Sequence, residues 1–484
     1  MDGSPKALSG DDKQLERFGY EPQFQRVLGL FGDFALGYSY MSPVAGFYAL
    51  FAFAMTTAGP AFFWTMPIAL FGQLLSALIL AEAASQYPIA GGVYQWARRL
   101  GGAYWGFLTA WLYLLALLGT IAGLAAGVAP FLSTILGVEA TPLFNAGCGI
   151  VLVILAGVLN LFGTRWVGRS AEVGVWTGLI GLALFGVYLL LFGRVQPISV
   201  LWSHVGAPET TNPLPALFAA SLIGIWIFFG HEACGDLAEE VQDAATKVPR
   251  AMMLTMIVGG SSALIIALGM ILAVPNLADA LAGKVNPGQE VANSAFGATG
   301  GKIMLMLMTI VVFSATVSII ASASRLLFSL GRDRVLIGSD AWSSINPKRG
   351  LPVPAVIAVT IVPCLILAIG VLSADAVTAT ISFATAGVYT SFLMVALAAF
   401  SARMRGWVPS GPFRLGPIGW LVNVLAIVYG LVAVINIMWP RPASATEPLW
   451  WTFIIPISLI LIFVVGVLQL GNVRPLAQTA QAAR

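Results

Sequence analysis

Charge is what this sequence has least of. Only 9% of its 484 residues are Asp, Glu, Lys or Arg, whereas a soluble globular domain carries roughly a quarter. With 58% hydrophobic residues and a mean hydropathy of +0.90, the chain has too few polar side chains to cover a water-facing surface of its own size. A soluble enzyme and a disordered chain are both excluded. Cysteine is scarce too. Cys148, Cys234 and Cys364 are odd in number and lie in apolar stretches, which excludes a disulfide scaffold and leaves no zinc-ligand spacing. The net charge is +3 and no run of six like charges occurs, so nothing reads as a nucleic-acid-binding arm.

What is there is apolar runs of about 20 residues, bounded by charges or Pro/Gly clusters, each of which predicts a transmembrane helix. Twelve are read, at 27–53, 62–85, 99–132, 142–164, 170–193, 214–241, 251–274, 302–330, 352–372, 376–400, 418–438 and 449–470. Lipid-exposed backbone must satisfy its own hydrogen bonds, and the runs are too long and uniform for alternating barrel strands. The fold class is therefore an all-α polytopic membrane protein: a tail at 1–26, one membrane domain at 27–470 and a tail at 471–484. The leader Met1 to Arg26 lacks a small-residue cleavage site and is expected to be retained. Orientation follows from the cations. With both termini cytoplasmic in a plasma (inner) membrane, 20 of the 24 lysines and arginines fall inside, leaving Arg194, Lys284, Lys302 and Arg441 outside.

Two runs are interrupted. The first contains Ser42-Pro43-Val44-Ala45-Gly46, where proline removes a backbone donor and glycine lets the chain leave helical geometry. The sixth contains Gly230-His231-Glu232-Ala233-Cys234-Gly235-Asp236, two glycines enclosing charge at membrane depth. The first run opens one set of five spans and the sixth opens the next, at about 27–193 and 214–400. Paired breaks at corresponding positions are the pointer to an inverted-repeat secondary transporter with a midplane site. The alternative is that Pro43 only kinks a helix and the glycines allow close packing.

Residue blocks then resemble a known family. Glu82-Ala83-Ala84-Ser85-Gln86-Tyr87-Pro88-Ile89-Ala90-Gly91-Gly92-Val93-Tyr94-Gln95-Trp96 is similar to the signature after the second span of the amino acid-polyamine-organocation superfamily. Gly230-His231-Glu232 through Glu239-Glu240-Val241 to Val248-Pro249-Arg250-Ala251, and Ser324-Arg325 with Arg332-Asp333, resemble two further blocks. The leader Phe18-Gly19-Tyr20 and the Ser42-Pro43 break look most like the amino acid/choline branch. His231 departs from the usual aromatic. A lysine that some relatives carry in span five falls on Gly181 in a gapless reading. The resemblance implies a leucine-transporter-like 5+5 inverted repeat plus two C-terminal helices at about 418–470, working by alternating access.

At a helix break the new N-terminus suits a carboxylate. Ser42, Val44, Ala45 and Gly46 are expected to cradle a substrate carboxylate, with carbonyls around Phe228, Phe229 and Gly230 accepting from its ammonium. Trp226 reads as an aromatic gate or as ordinary packing; Trp64 and Trp451 read as interfacial. Glu232 carries two readings, a proton carrier or a structural anion. His231 and Asp236 are further proton-coupling candidates, and Asp33 lines an inner vestibule or pairs with a cation such as Arg325. Ser314, Thr316 and Ser318 are candidate Na+ ligands or helix-packing hydroxyls. Glu82, Arg98, Arg99, Glu239, Glu240, Arg250, Arg332 and Asp333 are assigned to an inner gate of exposed pairs.

The reading is thus a secondary transporter importing an amino acid or small amine such as γ-aminobutyrate or choline, coupled to H+ or Na+. Substrate/product exchange and a transporter-like sensor are the alternatives. No metal or cofactor is expected, and no enzyme activity. Gly297-Ala298-Thr299-Gly300-Gly301-Lys302 only faintly resembles a phosphate loop, since Phe296 and Ile303 break the pattern, so ATP is not a partner.

Overall fold

The computed structural model describes residues 9–203, 212–347, 349–371, 374–441 and 453–472. Lys6, Lys348, Trp451, Arg474, Arg484 and most of the C-terminal tail lie outside the described residues. The chain is all α. Among the described residues, eight helical stretches are long and apolar enough to cross a membrane. The first of these, Leu30–Gln86, contains span one (Leu30–Met41 and Pro43–Ala58) and span two (Thr65–Gln86). Spans three to five are Ala103–Ala126, Pro142–Leu161 and Thr164–Phe192. Span six is Leu214–Ile227 followed by Ala233–Asp236, and span seven is Ala244–Leu272. Spans eight to twelve are Pro287–Arg332, Val353–Ile369, Ala374–Met404, Gly419–Met438 and Ile454–Leu468.

The burial pattern explains why amphipathic periodicity is faint. Span ten is largely enclosed while spans four and eleven are two-thirds open, yet the open spans are no less apolar than the enclosed one, because a lipid-facing side must be as apolar as a protein interior. Val151, Leu155, Leu421 and Val428 are accordingly exposed.

Three boundaries differ from the sequence reading. The expected span 99–132 is three helices, Gly92–Gly101, Ala103–Ala126 and Ala129–Leu136. Gly102, at φ 97°, separates the first two, and Gly127 and Val128 turn the chain into the third. The supposed outer loop 275–301 holds a helix at Leu277–Leu281 and the start of span eight, bent at Gly297 (φ 72°). The leader is also no loose tail: Gly10–Arg17 is a helix closed by a capping box between Ser9 and Asp12, and Leu28 bridges to Val241 beside span six.

Candidate functional site

The break in span one is a single residue. A proline disfavours helical geometry in the residue before it, and Ser42 sits in the left-handed region at φ 49°, ψ 57°. Ser42 N–H closes the first half-helix on the Tyr38 carbonyl (2.9 Å), and Gly46 N–H opens the second on the Ser42 carbonyl (2.9 Å). Between them Pro43 has no N–H, and Val44 and Ala45 stand at the first turn, where helix donors lack intrahelical partners. In span six, residues 228–232 leave the helix and Gly230 takes φ 122°.

The two breaks touch. A Cβ on Gly230 would stand 2.7 Å from the Met41 nitrogen and 3.0 Å from its Cα. A Cβ on Gly46 would stand 3.2 Å from Ile227 Cγ1 and 3.9 Å from Trp226 Cδ1. The structure therefore brings Gly46, Trp226 and Gly230 to one crossing, with Ser42, Val44, Ala45, Phe228 and Phe229 beside them in the chain and the Val44 side chain turned onto Gly181 of span five. Rings surround it: Phe229 meets Tyr40 at 5.8 Å, Trp226 at 5.5 Å and Tyr389 at 6.5 Å. The Gly230 carbonyl already accepts from Ala233 N–H (3.2 Å).

Below the crossing lie buried acids. Glu232 Oε2 accepts from Gly230 N–H (2.7 Å), which fits its structural reading. The Tyr113 hydroxyl, from span three, lies 3.4 Å from Glu232 Oε1 and 3.1 Å from Asp236 Oδ2 and joins the two carboxylates. His231 Nδ1 is 3.7 Å from Glu232 Oε2, beyond a hydrogen bond, and its ring lies 5.7 Å from Phe392. Asp33 is fully buried and neither carboxylate oxygen has a hydrogen-bond partner. The pairing with Arg325 is not formed, because Arg325 is held by Glu240 at 2.7 and 3.1 Å.

The hydroxyls of span eight divide. Ser314 Oγ is 2.7 Å from Ser39 Oγ on span one and donates to the Ser170 carbonyl of span five (2.5 Å). Ser318 is one turn on and donates to the Ser314 carbonyl (3.1 Å). Thr316 is two residues from Ser314, about 200° around the helix, and donates to Val312 (2.9 Å). One ion cannot use all three side chains. Gly181 packs on Val44, whereas a Cβ on Gly174 would meet Ser314 Oγ at 2.4 Å and Ser39 Oγ at 2.6 Å. Gly174 is therefore the span-five position facing these hydroxyls, two turns from Gly181.

The gate residues form buried pairs, which corrects their reading as exposed. Glu82 is held by Arg403 of span ten and accepts from Leu415 N–H (2.8 Å). Glu239 pairs with Arg332 (2.9 Å) and accepts from Ala90 N–H (3.0 Å). Glu240 takes Arg325 and Thr164. Asp333 pairs with Arg98 and accepts from Tyr94 (2.8 Å), Gln95 (3.1 Å) and Tyr20 (2.8 Å). Arg99 instead holds the Phe18 carbonyl (2.8 Å), and Arg250 is exposed. These acids lose solvent, so each needs its arginine.

Tyr20 and Tyr113 escaped the sequence reading. Tyr20 belonged to the leader block without a role; its ring lies 3.9 Å from the Arg332 guanidinium. Burial raises its phenol pKa, but Arg332, Arg98 and Arg99 outweigh this and hold it below the usual tyrosine value. Arg26 ties the same segment to the Val241 carbonyl (3.0 Å). Tyr113 carries no sequence signal, since nothing in an apolar run marks which face of span three turns inward.

A bundle of apolar helices with two touching breaks, and buried charges gathered at the breaks and in ion pairs, has the build of a multi-span membrane transporter. Residues 28–464 match the family model described as amino acid permease, and the chain belongs to that family, within the amino acid-polyamine-organocation superfamily. It is similar to an uncharacterized amino-acid permease of Schizosaccharomyces pombe (25% identical, 92% of this chain and 82% of the relative). It is likewise similar to the thiamine transporter thi9 of the same organism (25%, 90% and 82%). Amino-acid permease BAT1 of Arabidopsis thaliana is 22% identical over 89% of this chain and 88% of its own. These are transporters rather than enzymes. The family match is coarser than the amino acid/choline branch.

Proposed function

We propose that this permease imports an amino acid or related small amine across the plasma membrane by alternating access, with both termini cytoplasmic. The observation that carries the reading is the contact of the two breaks at Met41 and Gly230. It puts a helix N-terminus from span one beside the unwound backbone of span six, so one small zwitterion can meet a partial positive and a partial negative end together. The Val44 and Ala45 N–H groups take the substrate carboxylate, the Phe228 and Phe229 carbonyls take its ammonium, and Trp226 covers them. The buried pairs around Asp333, Glu239, Glu240 and Glu82 form the cytoplasmic gate.

Coupling is assigned to protons at Glu232 and Asp236. They are buried, joined by Tyr113, and without an arginine among the described residues. A buried carboxylate lacking a cation costs several kcal/mol when ionised, so a proton or a substrate ammonium balances the charge. Sodium at Ser314 and Ser318 is the competing assignment.

Purified protein in liposomes tests this, with a panel of amino acids, γ-aminobutyrate, choline and polyamines and with proton and sodium gradients imposed separately. Saturable uptake driven by the proton gradient is expected. Uptake that needs only internal substrate identifies exchange. A Gly46→Leu protein that transports normally removes the span-one cradle.

A further inference from the structure

A groove of about 660 Å³ lies between the helix Ala129–Leu136, span four and span eight, and shares no lining residue with the crossing. Leu132, Gly147, Val151, Leu155, Thr309 and Phe313 line it. Its one hydroxyl, on Thr309, is spent on the Leu305 carbonyl (2.9 Å). Gly147 leaves its Cβ direction open, with no atom within 4 Å. On span four the groove runs from Phe144 to Leu155, about 16 Å at the helical rise. A slot of this length with no unmet polar group suits an alkyl chain.

A charge stands beyond one end of the slot, outside its lining, where Lys302 borders a neighbouring small pocket with Thr134 and Asn293. Lys302 is seven residues before Thr309, two turns along the same face and about 10 Å away. The exposed Lys302 Nζ donates to the Ile135 carbonyl (3.4 Å), one turn beyond the groove-lining Leu132. An ammonium has three donors, and this one bond leaves two for an anion at the level where an apolar face meets water.

We propose that this groove is a phospholipid site. One acyl chain of a glycerophospholipid from the surrounding leaflet lies between spans four and eight, and its phosphate sits on Lys302. A bilayer chain without a headgroup charge would fill the slot but gain nothing from the lysine. A second copy of the protein would fill the slot and bring no phosphate.

Native mass spectrometry of the full-length protein in detergent tests the assignment, after delipidation and titration with phosphatidylglycerol, phosphatidylethanolamine or a diacylglycerol with the same chains. One phospholipid is expected to bind each chain, and the diacylglycerol to bind at least fivefold more weakly. Lys302→Gln should weaken phospholipid binding about fivefold, the size of one lysine at a membrane surface, without altering diacylglycerol. Gly147→Trp fills open space, so its thermal melting should match wild type while the bound lipid is lost. Equal retention of diacylglycerol and phospholipid overturns the headgroup site. Lipid retained in Gly147→Trp overturns the groove, as does a dimer mass that this variant abolishes.

Discussion

The acids at the gate and the acids at the helix breaks are equally buried and differently partnered. Glu82, Glu239, Glu240 and Asp333 each hold an arginine. Glu232 and Asp236 share a tyrosine, and the Asp33 carboxylate has no hydrogen-bond partner. At the proposed gate each pair ties together segments distant in the chain. Leaving the break without fixed cations keeps its charge balance open to whatever arrives. The difference teaches that burial alone does not distinguish these carboxylates; the presence or absence of an arginine does, and the proposed roles rest on that distinction.

The sharpest way to break that comparison is to orphan a gate cation. Glu240→Ala leaves Arg325, fully buried, with only the Ser324 and Thr164 hydroxyls. The expected loss is about 3–5 kcal/mol, read by denaturant titration of purified protein in micelles. The double variant Glu240→Leu with Arg325→Met should recover most of it, since no lone charge remains. A single variant costing under about 1 kcal/mol would show that the gate pairs are not structural.

At the break the sensitive element is backbone. Gly230→Ala forces a side chain into φ 122° and against Met41, an expected cost of about 2 kcal/mol together with loss of substrate binding by calorimetry. Preserved binding would mean that the crossing tolerates separation. Glu232→Gln should do the reverse of the gate variant. It orphans no cation, so stability should change by less than about 1 kcal/mol, while accumulation driven by a proton gradient disappears and exchange persists. Proton-driven accumulation at the wild-type level sinks the proton role.

Most of the architecture was legible because the solvent dictates it. A 20-residue apolar run must be a helix in lipid, and Pro43 and Gly230 mark breaks by their own covalent chemistry. The helices at Gly92–Gly101 and Leu277–Leu281 were hidden, since short polar-flanked segments read as loops by composition. Partners were the least legible part. Arg325 and Glu240 are 85 residues apart, and Tyr113 reaches Asp236 across 123; which face of an all-apolar helix turns inward leaves no periodic trace. Facing is likewise absent from a register taken without gaps: packing alone shows that Gly174 looks onto Ser39 and Ser314 while Gly181 looks onto Val44.

The gentlest test concerns where the gate network ends in water. Asp12 caps the leader helix and meets Arg26 at 3.2 Å, partly exposed on both sides. Burial raises the Asp12 pKa, but the Ser9 hydrogen bonds and the Arg26 charge outweigh it and hold the carboxyl below its ordinary value. A carboxyl lowered on folding contributes stability that is present above its unfolded pKa, near 3.9, and lost as pH falls through the folded value. Asp12→Asn should therefore weaken docking of residues 10–17 by roughly 0.5 kcal/mol at neutral pH, read as faster amide exchange there. The gap to wild type should be full above the unfolded pKa and close as pH falls through the lower folded value. A gap that widened on acidification would place the stabilising form of Asp12 on the protonated side and detach this pair from the arginine-held gate it borders.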